Sequence, residues 1–137
     1  MIPAVLDTNV LVSGLLSALG APGRVLDLVF SGRIKPIFDD RILDEYERVL
    51  AYERFGFRPG HVRTLLSFFE LFGERCPADV FFDSEEWPDP DDIPFAEVAC
   101  SARSTLVSGN GRHYASLERF GVPVLSPTDF LGKFFGR

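Results

Sequence analysis

The sequence predicts a three-layer α/β/α sandwich around a central, mostly parallel sheet of four or five strands. Two observations lead to this fold class. Short apolar runs of about four or five residues alternate with longer segments of helical periodicity. The runs are apolar throughout, as in strands that are buried on both faces of a parallel sheet. At 137 residues the chain has the length of one domain, and we expect that domain to span residues 1–137.

The elements are predicted in chain order from these runs and from the residues that begin and end helices. The N-terminal half is predicted to hold a strand at Pro3–Leu6, helices at Val10–Leu19 and Pro22–Phe30, a strand at Ile34–Phe38, and a helix capped by Asp39 or Asp40 that runs to about Tyr52. Pro22 suits a first helical turn, and Gly32 suits the end of that helix.

The C-terminal half continues the alternation of helices and strands. Its predicted elements are a helix at Arg58–Gly73, a short strand near Arg75–Cys76 or Val80–Phe82, a helix from Asp92 to about Ala102, strands at Thr105–Ser108 and Pro123–Leu125 with a helical turn at His113–Phe120 between them, and a closing helix at Thr128–Phe135. Pro94 is tolerated because it falls in a first turn. Alternating strands and helices indicate a parallel sheet covered on both faces.

The charge of the chain is concentrated in one segment. The net charge is −6, from 20 acidic and 14 basic residues. Residues 79–92 hold seven of the acids and no base, so the rest of the chain is close to neutral. Such a cluster is typical of a solvated loop, an electrostatic decoy or a cation site, and it does not exclude a nucleic-acid partner for the remaining surface.

Cellular location is predicted from the cysteines and from hydropathy. Cys76 and Cys100 have no metal-ligand spacing and are expected to be free thiols in a reducing cytoplasm. No run approaches the roughly 18 uncharged apolar residues that a membrane span requires. The segment at residues 1–10 lacks the basic start of a secretory signal. We therefore expect a cytoplasmic protein without a membrane partner.

Three acids are the candidates for a site at the sheet edge. In parallel α/β sheets, functional residues gather at the carboxyl ends of the strands, and Asp7 follows the first strand. Glu45 borders the apolar stripe of its helix, and Asp92 opens another helix. Each position also has an ordinary explanation, since Asp7 and Asp92 suit helix caps and Glu45 suits a boundary residue that reaches solvent.

Acids that share a crevice repel each other unless a divalent cation lies between them. Oxygen ligands without a histidine or cysteine set favour Mg²⁺ or Mn²⁺ over Zn²⁺. The run LVSGNGRHY at residues 106–114 places Asn110, Arg112 and His113 after another strand. A basic pair beside an acid cluster is what binding of a phosphodiester over a metal requires.

Taken together, these motifs resemble the PIN domain, and most closely the subfamily described as toxin components of toxin–antitoxin pairs. The resemblance covers essentially the whole chain. It rests on an ordered series of motifs: VLDTNVLVSGLL (5–16), ILDEYERVL (42–50), DPDDIPFAEVA (89–99), LVSGN (106–110) and VLSPTDFL (124–131). Each motif is weak alone, and their order and spacing make the series specific.

The resemblance implies a site residue for each acidic motif. By motif, the family's acids correspond to Asp7, Glu45 and Asp92, with Asn110 at the fourth position, where an acid is frequent. Thr8 and Asn9 are expected to hold the Asp7 carboxylate and to bind water around the metal. Asparagine is a weaker ligand than a carboxylate and cannot act as a base, so a second metal is in doubt at Asn110. Asp91 is the substitute acid.

The resemblance further implies a function. The expected activity is hydrolysis of RNA phosphodiester bonds by a Mg²⁺- or Mn²⁺-dependent endoribonuclease, the toxin of a toxin–antitoxin pair. In this function Asp7, Glu45 and Asp92 are the catalytic and metal-binding residues, and Arg112 and His113 bind RNA. The 14 phenylalanines indicate a homodimer face or a groove for an antitoxin protein.

Other readings of the same residues were considered. A haloacid-dehalogenase-like phosphatase needs a second aspartate where Asn9 stands, and a receiver-type signalling domain needs an acid pair that no segment supplies. The alternative that stays open is a non-catalytic PIN scaffold that binds RNA or protein.

Overall fold

The computed structural model describes residues 1–136 and contains one parallel sheet of five strands. The strands are β1 (Ile2–Leu6), β2 (Ile34–Phe38), β3 (Glu74–Arg75), β4 (Thr105–Val107) and β5 (Val124–Leu125). They lie in the order β3-β2-β1-β4-β5, and every neighbouring pair is parallel. The predicted α/β/α sandwich around a parallel sheet is confirmed.

Helices and short 3₁₀ turns connect the strands. The α-helices are α1 (Thr8–Leu16), α2 (Ala21–Phe30), α3 (Asp40–Leu50), α4 (Pro59–Phe72), α5 (Ile93–Ala102) and α6 (Pro127–Phe135). The 3₁₀ turns lie at Glu53–Phe55, Ser84–Glu86, Pro90–Asp92 and Gly111–Phe120, the last with a kink at Tyr114. Within residues 1–136, no single helix is long and apolar enough to cross a membrane, whereas α1 and α2 together reach that length but are bent by 100°.

Several predicted boundaries differ from the structure, and helix α1 ends at Leu16 rather than Leu19. Two of the differences have a clear physical reason. Helix α1 begins at Thr8 rather than Val10, because the Asp7 carboxylate already accepts a bond from the Thr8 N–H. The third strand lies at Glu74–Arg75, so the alternative at Val80–Phe82 is wrong. The backbone N–H groups of Phe81 and Phe82 donate to the Glu97 carboxylate instead of to a neighbouring strand.

The strand order brings the carboxyl ends of the central strands β1 and β4 next to each other. β1 lies between β2 and β4, so the chain moves to one side of β1 in its first half and to the other side in its second half. A parallel sheet opens a crevice at the carboxyl ends of the strands where this reversal occurs. Leu6 pairs with Val107 there, and the next residues in each chain segment are Asp7 and Ser108.

A buried tyrosine fixes helix α3 against the end of β1. Tyr46 is fully buried and packs edge-on against Phe69 of α4, with its ring centroid 5.7 Å away. Its hydroxyl donates to the Leu6 carbonyl at 2.5 Å. Since Glu45 precedes Tyr46, this contact places Glu45 beside the crevice.

Candidate functional site

Asp7 lies at the centre of the site and is nearly completely buried. Its Oδ1 accepts from the Thr8 N–H at 2.8 Å, and its Oδ2 accepts from the hydroxyls of Ser108 at 2.7 Å and Tyr114 at 3.1 Å. Burial raises the pKa of Asp7 above its ordinary value, and these three hydrogen bonds oppose that rise. Asp7 is therefore both the cap of α1 and a desolvated carboxylate at the switch point of the sheet.

The two residues after Asp7 join separate parts of the chain. The Asn9 amide donates to Asp7 Oδ2 at 3.3 Å and its carbonyl oxygen accepts from the Gly109 N–H at 3.0 Å. Thr8 contributes its N–H to Asp7, but its hydroxyl donates to Glu45 Oε2 at 2.5 Å. Thr8 therefore links Glu45 to Asp7.

Asp92 is the second buried carboxylate of the site. It precedes α5 without a side-chain capping bond, so capping does not explain it. Burial, followed by the charges of Asp7 and Asp89, raises the pKa of Asp92 to about 6. The His113 Nδ1 lies 3.3 Å from Asp92 Oδ2.

Tyr114 lies between these two carboxylates. Burial and the charges of Asp7 and Asp92 raise the pKa of Tyr114 far above its ordinary value. The Tyr114 hydroxyl therefore stays protonated and acts as a donor to Asp7.

Glu45 lies at the edge of the same site. Its side chain is 17% exposed, and burial raises its pKa while the Thr8 hydroxyl lowers it. The charges of Asp91 and Asp7 raise the pKa further, and Arg48 lowers it from 3.4 Å. The helical-wheel prediction of an inward-reaching glutamate agrees with this position.

A cleft of about 310 Å³ opens over these residues. It is lined by residues from α1, from α3 and the turn that follows it, and from the acid-rich segment: Thr8, Asn9, Val12, Ser13, Glu45, Arg48, Val49, Tyr52, Arg54, Phe55, Asp89, Asp91 and Asp92. We call it the site cleft. It brings together residues of the three predicted acidic motifs, with Glu45 and Asp92 in its lining. The buried Asp7, in contrast, is reached only through its neighbours Thr8 and Asn9 and does not itself line the cleft.

Other predicted site residues lie at the margin. Asp91 lines the site cleft, but its side chain is 65% exposed and its Oδ2 is 3.5 Å from Arg48. Asn110 is exposed and contributes its backbone, donating its N–H to Ser108 at 2.9 Å and accepting from the His113 N–H at 2.9 Å. Arg112 is also exposed, and neither Asn110 nor Arg112 lines the site cleft. The structure thus places Ser108, not the Asn110 side chain, beside Asp7.

Sequence reasoning missed three residues of the site. Ser108 was available from the rule that found Asp7, because it follows the neighbouring strand β4. Arg48 lies one helical turn after Glu45, and only its position on α3 hinted at a role. Tyr114 carries no sequence signal, since its inward direction comes from a kink inside a 3₁₀ segment.

The donor chemistry of the site fits Mg²⁺ or Mn²⁺ with a shell completed by water. Asp7 and Asp92 supply carboxylate oxygens, and their raised pKa values reflect burial and, for Asp92, repulsion from Asp7, which a cation would relieve. Over residues 1–136, no group of three or more histidine, cysteine, aspartate or glutamate side chains is arranged to hold one ion. Mg²⁺ is commonly held by one or two carboxylates and several waters, so a pair of acids suffices.

The buried glutamate Glu97 on α5 holds the acid-rich segment against the rest of the fold. Glu97 on α5 is fully buried, and its Oε1 accepts from the Arg41 guanidinium at 2.6 Å. Its Oε2 accepts from the N–H groups of Phe81 at 2.7 Å and Phe82 at 3.0 Å. Arg41 also bonds Asp39, the cap of α3. These contacts tie residues 81–92, and with them Asp92, to the rest of the fold.

The fold and the site define an α/β protein with carboxylates facing a cleft at the carboxyl edge of a parallel sheet. A family model described as the PIN domain matches residues 3–112, more than half of the chain and the whole lining of the site cleft. The chain belongs to the PIN domain family, whose members are generally nucleases and typically use divalent metals. It is also similar to the uncharacterized protein MJ1680 of Methanocaldococcus jannaschii, with 24% identity over 142 residues that cover 97% of this chain and 92% of the relative.

The pKa of Asp92 leads to a prediction for protein free of divalent metal. A carboxyl whose pKa is higher in the folded than in the unfolded state costs stability when ionised. The variant Asp92→Asn lacks this cost, so its free energy of unfolding should exceed that of the wild type above pH 6. The advantage should fade as the pH falls from about 6 towards the ordinary value of 3.8. Urea denaturation in EDTA across this range measures it, and a pH-independent difference would contradict it.

Proposed function

We propose that the protein is a Mg²⁺- or Mn²⁺-dependent endoribonuclease that hydrolyses RNA phosphodiester bonds. The observation that carries the proposal is the pair of buried carboxylates, Asp7 and Asp92, that lie on either side of the Tyr114 hydroxyl at the switch point of a PIN-family sheet. Burying two mutually repelling acids is costly for folding. A site that binds a cation accounts for that cost.

Asp7 and Asp92 would hold the ion, either directly or through water. A bound divalent metal lowers the pKa of a coordinated water and offsets negative charge on the phosphate. Asp7 is well suited to a fixed position because Ser108, Tyr114 and the Thr8 N–H all restrain its carboxylate. His113, 3.3 Å from Asp92, restrains the second acid.

Glu45 is suited to positioning or deprotonating the attacking water. It lines the site cleft, and its raised pKa makes it a stronger base than an ordinary glutamate. The Thr8 hydroxyl holds one carboxylate oxygen, Oε2. Oε1 is contacted by Arg48 at 3.4 Å, a long contact that water can replace.

Basic side chains near the acids would bind the RNA backbone. Arg48 lies inside the site cleft between Glu45 and Asp91. The exposed Arg112 and the half-buried His113 follow β4 at the same edge of the sheet. Contacts of this kind position a phosphate without reading its sequence.

The role as a toxin with an antitoxin partner, in the cytoplasm, is the finer part of this proposal. It is supported by the motif series shared with the PIN subfamily of toxin components. Large apolar side chains on the surface, such as Leu19, Leu71 and Phe72, are 96%, 75% and 61% exposed. They would suit an antitoxin segment or a second copy of this chain.

A second candidate function is a PIN scaffold that binds RNA or protein without cleaving it. It is favoured by the fact that residues 1–136 hold no three-residue metal cluster. It is also favoured by the ion pairs of Arg48 with Glu45 and Asp91 inside the site cleft.

Metal-dependent cleavage of single-stranded RNA separates these candidates. Cleavage is expected with Mg²⁺ or Mn²⁺ and not with EDTA, and either metal should raise the melting temperature because it binds only the folded site. Cleavage that persists in EDTA would overturn the metal-dependent mechanism. A metal-induced thermal shift without cleavage of several unrelated RNAs would favour the scaffold.

A further inference from the structure

A row of aromatic rings lies beside the carboxylates, on the turn that follows α3. The ring planes of Tyr52 and Phe55 are 23° apart with centroids 6.1 Å apart, and those of Phe55 and Phe57 are 22° apart at 5.6 Å. Near-parallel rings at such distances are displaced sideways rather than fully overlapped. Tyr52 and Phe55 are half-buried and line the site cleft together with Asp92.

Two arginines accompany these rings. The Arg54 guanidinium lies 5.0 Å from the centroid of Tyr52 and 4.9 Å from that of Phe55, and its side chain is exposed. Arg48 donates to the Tyr52 hydroxyl at 2.7 Å. Aromatic rings beside cationic side chains are the combination that binds unpaired nucleobases by stacking and their phosphates by charge.

Packing of the core does not account for Tyr52 and Phe55. Within residues 1–136, neither belongs to the buried core or to the partly buried side chains packed against it. Phe57, in contrast, packs against the core and supports the row from one end. Two large aromatic side chains held outside the core, on the wall of a cleft that contains Glu45 and Asp92, point to a ligand with a flat apolar face.

We propose that Tyr52, Arg54 and Phe55 form a stacking site for one unpaired base of a single-stranded RNA. This proposal rests on the proposed nuclease function. The strand passes from this site to the carboxylates within the same cleft, with Arg48 and Arg54 near its phosphates. A cleft of about 310 Å³ is at the small end of ligand-binding sites and suits a single strand. Bases inside a duplex have no free face to offer the rings.

The test measures binding of a single-stranded RNA octamer that carries 2-aminopurine, with Ca²⁺ in place of Mg²⁺ and the intact RNA verified on a gel. Stacking on the rings should quench 2-aminopurine in the wild-type complex. Phe55→Leu, which keeps apolar volume but removes the ring, should weaken binding at least about 5-fold and abolish the quenching. Phe55→Ala should give the same result.

Phe120→Leu is the matched control. Phe120 is 44% exposed and has Arg119 at 5.1 Å from its ring centroid, yet it does not line the site cleft. Its binding and quenching should equal those of the wild type, and all variants should have cooperative thermal transitions. Equal binding by Phe55→Leu and the wild type, equal affinity for a hairpin duplex, or no saturable binding by the wild type would overturn the stacking site.

The outcomes also separate this inference from the nuclease function. Loss of binding in Phe55→Leu by a protein that cleaves no RNA would overturn the nuclease and support the stacking site. Metal-dependent cleavage by a protein whose RNA binding is independent of Phe55 would support the nuclease function and overturn the stacking site.

Discussion

Asp7→Asn is expected to reduce RNA cleavage by at least about 100-fold, because it removes the charge of one of the two carboxylates that we propose hold the metal. Asparagine has almost the same shape. One side-chain oxygen can still accept from the Thr8 N–H, and the hydroxyls of Ser108 and Tyr114 can turn to accept from the new amide, so the lost contact is the long one of 3.3 Å from the Asn9 amide. The loss of activity should therefore come without loss of the fold.

The stability of Asp7→Asn serves as an internal check. Burial raises the pKa of Asp7, so its ionised form is penalised in the folded state, and the neutral variant should be at least as stable as the wild type without metal. Asp79→Asn is the control, since Asp79 is an exposed acid of the same segment as Asp92 and does not line the site cleft. Initial rates of cleavage at saturating Mg²⁺ decide the matter, and equal rates for Asp7→Asn and Asp79→Asn would refute the site.

Glu97→Ala is expected to lower the free energy of unfolding by about 1–3 kcal/mol, the usual cost of leaving buried hydrogen-bond donors without their acceptor. Glu97 is fully buried, and its loss leaves two backbone N–H groups without an acceptor and Arg41 with Asp39 as its remaining acidic partner. The free energy of unfolding of a typical domain is only about 5–15 kcal/mol in total. Urea denaturation measures the change, and Glu47→Ala, at an exposed position on α3, should stay within about 0.5 kcal/mol of the wild type.

A small effect of Glu97→Ala would mean that water replaces the carboxylate and that residues 81–92 are held by other contacts. Trp87 is the main alternative anchor, because it is buried and its ring contacts those of Phe82 and Tyr114 at 5.1 and 5.8 Å.

The parallel sheet was predictable because its central strands correspond to short, mostly apolar runs in the sequence. β1 is an uninterrupted apolar run and β2 and β4 are mostly apolar, and the rule about carboxyl ends of strands led from β1 to Asp7. The helical wheel located Glu45, since a boundary position on an amphipathic helix follows from spacing alone. The clustering of these acids with Asp92 was foreseeable from topology and the motif series.

The contacts that hold the site were not predictable, because they join residues far apart in the chain. The Tyr114 hydroxyl donates to Asp7, 107 residues earlier in the chain, and the direction of the Tyr114 side chain depends on a kink that no local sequence pattern predicts. Nothing in the sequence distinguishes Glu97 from an ordinary residue of its helix, because the N–H groups that it accepts from lie in a segment without regular structure. The prediction that Thr8 holds Asp7 and binds water was incomplete for the same reason, since the Thr8 hydroxyl donates to Glu45.

The 3₁₀ turn at Glu53–Phe55 has a practical consequence for engineering. The residues that restrain Asp7 come from the start of α1 and from the segment after β4, whereas the aromatic wall comes from the turn after α3. Under the proposed function, substrate preference and bond cleavage are therefore carried by separate stretches of sequence. Libraries that vary residues 52–55 are then expected to change RNA preference while the carboxylates keep their places.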